Sequence, residues 1–274
     1  MTTPRTQASS DLREQYEREG YVVVRGVVDE ALVQEARSHI EWLLRKNPDT
    51  RPEKLDTHLM TDDPFWVRLV CDDRLLDIVE EFIGRDIALF ASHYIAKPPF
   101  KGQAVLWHQD GSYWPLEPME VITFWLAVDD STPENGCLRV IPGTHRLALQ
   151  EMQERIDVDS VLESEIDASF VDESQAVDLV LHPGDISIHH SNIVHGSNAN
   201  TSPHWRRGLT IRYIPTSTRI IAENRDLPWP SAFLLRGKPV AGVNEYNPWP
   251  KFVGGKHMPF QGWPTWNEKL PKQH

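Results

Sequence analysis

The rhythm of apolar and polar residues divides the chain into a helical front and a strand-rich remainder. The run DLREQYEREG, from Asp11, predicts a helix ending at Gly20, a residue free to adopt the left-handed conformation that closes helices. YVVVRGVV (21–28) is dense in β-branched residues and predicts a strand. Asp29 stands where a helix N-cap belongs. After it, Ala31, Val33, Ala36, Ile40, Leu43 and Leu44 recur at three- and four-residue spacing, the pattern of an amphipathic helix. FWVRLVCDDRLLDIVEEFIG (65–84) predicts a second such helix. Residues 1–10 are polar and are expected to form a disordered tail.

The pattern changes at Ile87. Short β-like runs follow one another between Pro, Gly and Asn/Asp breaks: ALFASHYIA, AVLW, VITFWLAV, CLRVIP, AVDLVL, DISIHH and GLTIRYIP. Many short strands after a helical leader predict a mainly β sandwich or jelly roll with helices covering one sheet. Residues 221–274 are rich in Pro, Trp and Gly without a clean period, and are expected to form an irregular cover over the barrel or a partner contact. No repeat and no linker interrupts the chain, so 1–274 reads as a single domain.

Composition narrows the partners. Hydrophobic residues make up 40% and charged residues 25% of 274 residues, enough for a buried core. The formal net charge of -12 repels phosphate backbones and anionic lipid, so neither nucleic acid nor membrane is an expected partner. Cys71 and Cys137 lie far apart with no CxxC spacing, which argues against a disulfide framework or a zinc ribbon. The N-terminus lacks an apolar stretch of signal-peptide length, and the expectation is a cytoplasmic protein, monomeric or homodimeric.

Two clusters carry chemistry. In WHQDGSYW (107–114), an extended backbone would put His108 and Asp110 on one face and turn Gln109 away. In PGDISIHHSNIVHGS (183–197), a second β-run leads to His195 followed by Gly. Two imidazoles and one carboxylate on one side of a metal leave its other positions open, the facial arrangement of non-haem iron oxygenases. His189 and His190 lie in the same tract, so a different distal ligand is conceivable; Gly196-Ser197 and the spacing to Arg206 favour His195, leaving the other two for core or supporting positions. His145, after P-G-T, reads as the anchor of a turn, and His182 and His204 as loop residues. Tyr113 and Trp114 flank the first cluster and are either core or part of the substrate mouth.

Three tracts, WHQDGSYWPLEP, NGCLRVIPGTH (135–145) and PGD…HGSNANTSPHWRRG, resemble the phytanoyl-CoA dioxygenase family of 2-oxoglutarate oxygenases, and the resemblance runs from the helical leader to about Pro215. It implies a double-stranded β-helix of the cupin-like jelly-roll type, with the N-terminal helices packed on one sheet. It implies that His108, Asp110 and His195 hold iron(II), that Arg206 takes the far carboxylate of 2-oxoglutarate, and that Ser197 and Trp125 (with one residue gapped) contact that cosubstrate. Gln109, His93 and, more remotely, Lys97 are further cosubstrate-side candidates. A guanidinium presents a planar fork that matches a carboxylate, which suits Arg206 to that role.

The implied reaction couples oxidative decarboxylation of 2-oxoglutarate by dioxygen to oxidation of a C–H bond, releasing succinate and carbon dioxide. Hydroxylation is the expected outcome; some relatives use the same site for desaturation, ring closure or epoxidation. Asp110 is intact, which argues against a halogenase, whose chloride takes the place of that carboxylate. A silent cupin-like binding protein is disfavoured by the intact ligand set, and a zinc hydrolase by Arg206, which it would not need. No basic cluster suited to the phosphates of coenzyme A is visible, so a small or medium-sized organic metabolite is preferred over an acyl-CoA.

Finally, RRGLTIRY (206–213) sorts by alternation into two faces. Arg206, Gly208, Thr210 and Arg212 share one; Arg207, Leu209, Ile211 and Tyr213 share the other. The second face suits packing under helices, the first the inside of a barrel.

Overall fold

The computed structural model describes residues 4–221 and 233–271. The helical front comprises α1 (Pro4–Glu19), β1 (Tyr21–Val24), α2 (Glu30–Lys46), α3 (Thr57–Met60), α4 (Pro64–Val70) and α5 (Asp73–Ile83). Eight strands follow: β2 (Ile87–Lys97), β3 (Val105–His108), β4 (Leu116–Glu117), β5 (Ile122–Ala127), β6 (Leu138–Val140), β7 (Met152–Glu154), β8 (Ser164–Ile166) and β9 (Val177–Leu179). The last five are β10 (Ile186–His190), β11 (His195–Ser197), β12 (Arg206–Pro215), β13 (Arg219–Ile220) and β14 (Phe233–Arg236).

Two antiparallel sheets make the jelly roll. The major sheet has six strands in the order β1-β10-β5-β12-β2-β14, and the minor sheet four in the order β3-β11-β6-β9. Alternation decides what each face of the major sheet meets. Ile122, Phe124 and Leu126 of β5, Ile186 and Ile188 of β10, and Leu209, Ile211 and Tyr213 of β12 share one core with Leu32, Val33, Ile40 and Leu43 of α2 and with α4 and α5. The opposite face carries Trp125, His189, Arg206, Thr210 and Arg212 and looks across to the minor sheet. Arg207 lies on the helix-covered side, where it pairs with Asp129 at 2.6 Å and Glu41 at 3.3 Å.

Several boundaries differ from the expected ones. α1 begins at Pro4, inside the segment expected to be disordered. β1 stops at Val24 because Gly26 turns the chain with a positive φ of 61°. The single helix expected over 65–84 is two: α4 ends at Val70 with Cys71 as its C-cap, and the Asp72 carboxylate caps α5 by accepting from Arg74 N. Asp29 does cap α2, accepting from Leu32 N at 2.9 Å. On that helix Leu32 and His39 are also buried, whereas Ala31 is exposed. The tract after 221 is not wholly irregular, since β14 extends the major sheet alongside β2. Its aromatic residues do cover the helices: Phe252, Phe260 and Trp266 enter the helix–sheet core, and the Trp266 indole donates to Pro250 O. Residues 222–232 and 272–274 lie outside the described residues.

Candidate active site

The site lies between the sheets, where β3 and β11 of the minor sheet face β12, β2 and β10 of the major one. Pairing of β11 with β3 sets His195 directly opposite His108, and the two rings come to 4.0 Å between centroids. Asp110 opens a short 3-10 turn two residues after β3 ends; Gln109 between them is extended, so the two-residue alternation still brings His108 and Asp110 together. His108 Nε2 is 3.5 Å and His195 Nε2 3.9 Å from Asp110 Oδ1. These three are the group of buried metal-ligating side chains found among the described residues, with ligand atoms within 4.8 Å of one another.

The hydrogen bonds prepare this set for a cation. Nδ1 of His108 donates to Leu106 O at 2.8 Å, and Nδ1 of His195 to Ile193 O at 3.0 Å. Each carbonyl fixes the tautomer that leaves Nε2 with a lone pair aimed at the cluster. Burial pushes the His195 imidazole well below its usual range, and neighbouring His108 adds to this, so it stays neutral and able to ligate. Burial alone would raise the Asp110 carboxyl, but the Arg212 guanidinium and the imidazoles of His108, His189 and His195 outweigh it and hold Asp110 ionised. Its Oδ2 is buried without a hydrogen-bond partner. A buried, ionised, under-partnered carboxylate beside two imidazoles is the donor set that a divalent iron would complete.

Arg206 opens β12, 2% exposed, with its guanidinium 5.2 Å from the centroid of the Trp125 ring and, among the described residues, no carboxylate in contact. Burial draws it down to about 10, still charged at neutral pH, and its Nε has no partner. Gly208 makes the arrangement possible: a Cβ there would lie 2.1 Å from Cζ2 of Trp125, so only glycine lets the indole lie against the strand. Ser197 lines the same cavity and accepts from the buried Lys97 Nζ at 2.7 Å. This end can receive the far carboxylate of a dicarboxylate whose other end reaches the metal.

The remaining expected site residues divide. His93 lines the cavity, and its Nδ1 lies 2.7 Å from Arg212 Nη1. Gln109 is buried but points away from it: its side chain donates to Asn192 O at 2.7 Å and accepts from Gln150 N at 2.9 Å, tying two loops together. Tyr113 and Trp114 do not line it either. Tyr113 OH pairs with Ser164 on β8 at 2.7 Å, and Trp114 packs on Phe90 behind Arg212. The positions expected at the substrate mouth are instead occupied by Val161 and Leu162, from the excursion between β6 and β9. His189 stands beside the ligands, 3.6 Å from Asp110 Oδ2, while His190 faces His145 on the other side of the sheet edge. His145 anchors its turn by reaching Glu17 O, and His182 pairs with Asp130 at the surface. Arg212, 3.9 Å from Asp110 Oδ1, is a site residue that the motifs did not single out, although it shares a strand face with Arg206.

A jelly roll that brings two imidazoles and a carboxylate to one point, with a buried guanidinium beyond them, defines a non-haem iron, 2-oxoglutarate-dependent dioxygenase. Residues 16–208 match the phytanoyl-CoA dioxygenase (PhyH) family, and the chain belongs to it. It is 28% identical over 256 residues to the ectoine dioxygenase of Sphingopyxis alaskensis, covering 82% of each protein. It is 27% identical over 227 residues to the human peroxisomal phytanoyl-CoA dioxygenase, covering 73% of this chain and 67% of that one. Among solved structures, the fold is shared with the apo non-haem monooxygenase ThoJ (TM-score 0.74, 24% identity, 88% of this chain and 89% of that one). It is also shared with the epimerase SnoN, solved with Fe3+, α-ketoglutarate and a nogalamycin compound (TM-score 0.68, 24% identity, 86% and 97%).

Proposed function

We propose that this enzyme hydroxylates a small to medium-sized organic metabolite, and that acyl-CoA thioesters are not its substrates. The observation that carries the choice is the character of the segment over the cavity. Residues 146–176 supply Val161 and Leu162 to the cavity wall, and their charged side chains are Glu151, Glu154, Asp157, Asp159, Glu163, Glu165, Asp167, Asp172 and Glu173 against Arg146 and Arg155. Arg155 is already engaged by Asp157 and Glu165. An acidic cover repels the phosphates of coenzyme A.

The division of labour follows from the geometry. His108, Asp110 and His195 would hold iron(II) on one face, and Arg206 would take the far carboxylate of 2-oxoglutarate, with Trp125 and Ser197 closing that end. With dioxygen, the bound pair supplies an oxidant strong enough for a C–H bond, leaving succinate and carbon dioxide. The chain's own contribution is placement and exclusion of water: the cavity lies between two sheets, and Ile95, Val105, Leu138, Val161 and Leu162 give it apolar walls. The free thiols, half-buried Cys71 pushed up to about 12 and buried Cys137 to about 11 by burial, fit a reducing compartment, and a cytoplasmic location is part of this reading. The test is succinate formation across a metabolite panel that includes acyl-CoAs. Turnover with an acyl-CoA and with no small metabolite would overturn the assignment.

A further inference from the structure

The charges lining the cavity do not balance. Among the described residues, its wall contains one carboxylate, Asp110, and two guanidiniums, Arg206 and Arg212. On the reading above, Asp110 ligates the metal, while 2-oxoglutarate uses one carboxylate on the metal and the other on Arg206. Both charges of the cosubstrate are then committed, and the anion near Arg212 among the described residues is Asp110, 3.9 Å away and shared with the metal. Arg206 and Arg212 stand six positions apart on one face of β12, roughly 20 Å along the strand, so they serve opposite ends of the cavity.

Arg212 is built to stay there. It is 6% exposed, its guanidinium lies 5.2 Å from the centroid of the Trp114 ring, and its Nη1 contacts Thr210 Oγ1 at 3.0 Å and His93 Nδ1 at 2.7 Å. Because an arginine can only donate, His93 Nδ1 must accept, which places the ring proton on Nε2 of a cavity-lining imidazole. Arg212 Nε is buried with no partner, and Nη2 reaches only to 3.9 Å from Asp110. A buried guanidinium with an unused edge is costly unless something planar and anionic completes it.

We propose that Arg212, with His93 and Thr210 beside it, anchors a carboxylate of the primary substrate, so that the metabolite oxidised is a small carboxylic acid. The inference rests on the dioxygenase reading of the same cavity. A carboxylate fits the free edge of the fork and brings the rest of the molecule within reach of the metal next to Asp110, against the apolar side chains of Val161 and Leu162.

The test uses the full chain loaded anaerobically with iron(II) and 2-oxoglutarate. Its probes are two matched pairs, 3-phenylpropionate with 3-phenylpropionamide and hexanoate with hexanamide, and binding is read by calorimetry. The acids should bind about tenfold or more tightly than their amides. Arg212→Gln should remove that preference and also weaken iron(II) binding, because Asp110 loses its cationic neighbour. Arg212→Lys, which keeps the charge, should restore part of the preference with iron and 2-oxoglutarate affinities unchanged. Acids and amides that bind alike, or no binding of either, overturn the proposal. So does a loss of iron or 2-oxoglutarate affinity in Arg212→Lys, which would make the residue a support for Asp110 or a cosubstrate contact. Failure of the wild type to bind 2-oxoglutarate in the presence of iron would instead sink the dioxygenase reading beneath it.

Discussion

His195 faces His108 across the β11–β3 pairing, so a single register decides whether the two imidazoles meet. Because side chains alternate along a strand, a slip of one residue would send His195 to the opposite face. The carbonyls of Leu106 and Ile193, each two residues before its histidine, then set both tautomers alike. Asp110, delivered by the turn after β3, completes the set, and that turn is pinned where Gly111 N donates to Ser191 O at 2.9 Å.

Removing that carboxylate should therefore abolish function while leaving the fold intact. Asp110→Ala is expected to lose stoichiometric iron(II) and all 2-oxoglutarate-dependent succinate formation. It also deprives Arg212 of a nearby anion and removes a buried ionised group that is held so foremost by the Arg212 guanidinium. Metal analysis, succinate assay and a thermal melt on the same preparation check this. Undiminished coupled turnover would remove Asp110 from the ligand set.

Arg206 and Arg207 are neighbours with opposite surroundings. Among the described residues Arg206 has no carboxylate in contact, and it faces the cavity; Arg207 is held by Asp129 and Glu41 outside it. Arg206→Ala should raise the 2-oxoglutarate concentration needed for half-maximal turnover by about two orders of magnitude or more, as expected for loss of a buried charged pair. Arg207→Ala should leave that requirement within about twofold and cost on the order of 1 kcal/mol of stability, because its pairs are partly exposed. Titration of 2-oxoglutarate against both variants gives the ranking, and the reverse order would contradict the placement of β12.

How much of this was legible in the sequence depends on how local the cause is. The two faces of β12 could be read because its alternation separates charged or small residues from Leu209, Ile211 and Tyr213. The helix break at Cys71-Asp72 was hidden because apolar spacing continues through it, and only the Asp72 cap interrupts the backbone. The β7–β8 hairpin has strands of three residues each, MQE and SEI, too short and too polar to show a period. Gln109 sits between two metal-ligating residues in sequence, yet alternation turns it into the loops, where it holds Asn192 and Gln150. Arg212 shows the converse: its strand face was known, but its closeness to Asp110 depends on how the two sheets stack, which no local pattern encodes.

Gly208 tests how tightly the cosubstrate end is built. A methyl group there would overlap the Trp125 indole, which in turn carries Arg206. Gly208→Ala should cost about 1–3 kcal/mol by overpacking and raise the 2-oxoglutarate requirement, because relief of the clash must move the indole. Tryptophan fluorescence of the variant should also differ from that of the wild type. A variant with unchanged 2-oxoglutarate affinity would mean that Trp125 can move without disturbing Arg206.

A buried chain under the helices, remote from the cavity, should give the protein part of its acid sensitivity. Tyr94 OH lies 3.0 Å from His39 Nδ1, and His39 Nε2 lies 2.9 Å from Asp63 Oδ2. Asp63 also caps α4, its Oδ1 accepting from Trp66 N at 2.9 Å. Burial pushes the Asp63 carboxyl up, but His39 and the Trp66 amide more than offset it, and the net shift is downward. A carboxyl whose folded value lies below its unfolded one, about 3.9, stabilises the fold fully above that value. That contribution is lost as pH falls through the folded value. In Asp63→Asn the cap survives, since asparagine is as good an N-cap as aspartate. The amide nitrogen, however, replaces Oδ2 opposite His39 Nε2, forcing the imidazole to its other tautomer and Tyr94 to accept instead of donate. The variant should be about 1–3 kcal/mol less stable than the wild type at pH 7. Urea unfolding of the two proteins at pH 7 and again below about 4 measures the gap, which should narrow at the lower pH. A gap that stays constant across that range would show that ionisation of Asp63 contributes nothing to folding.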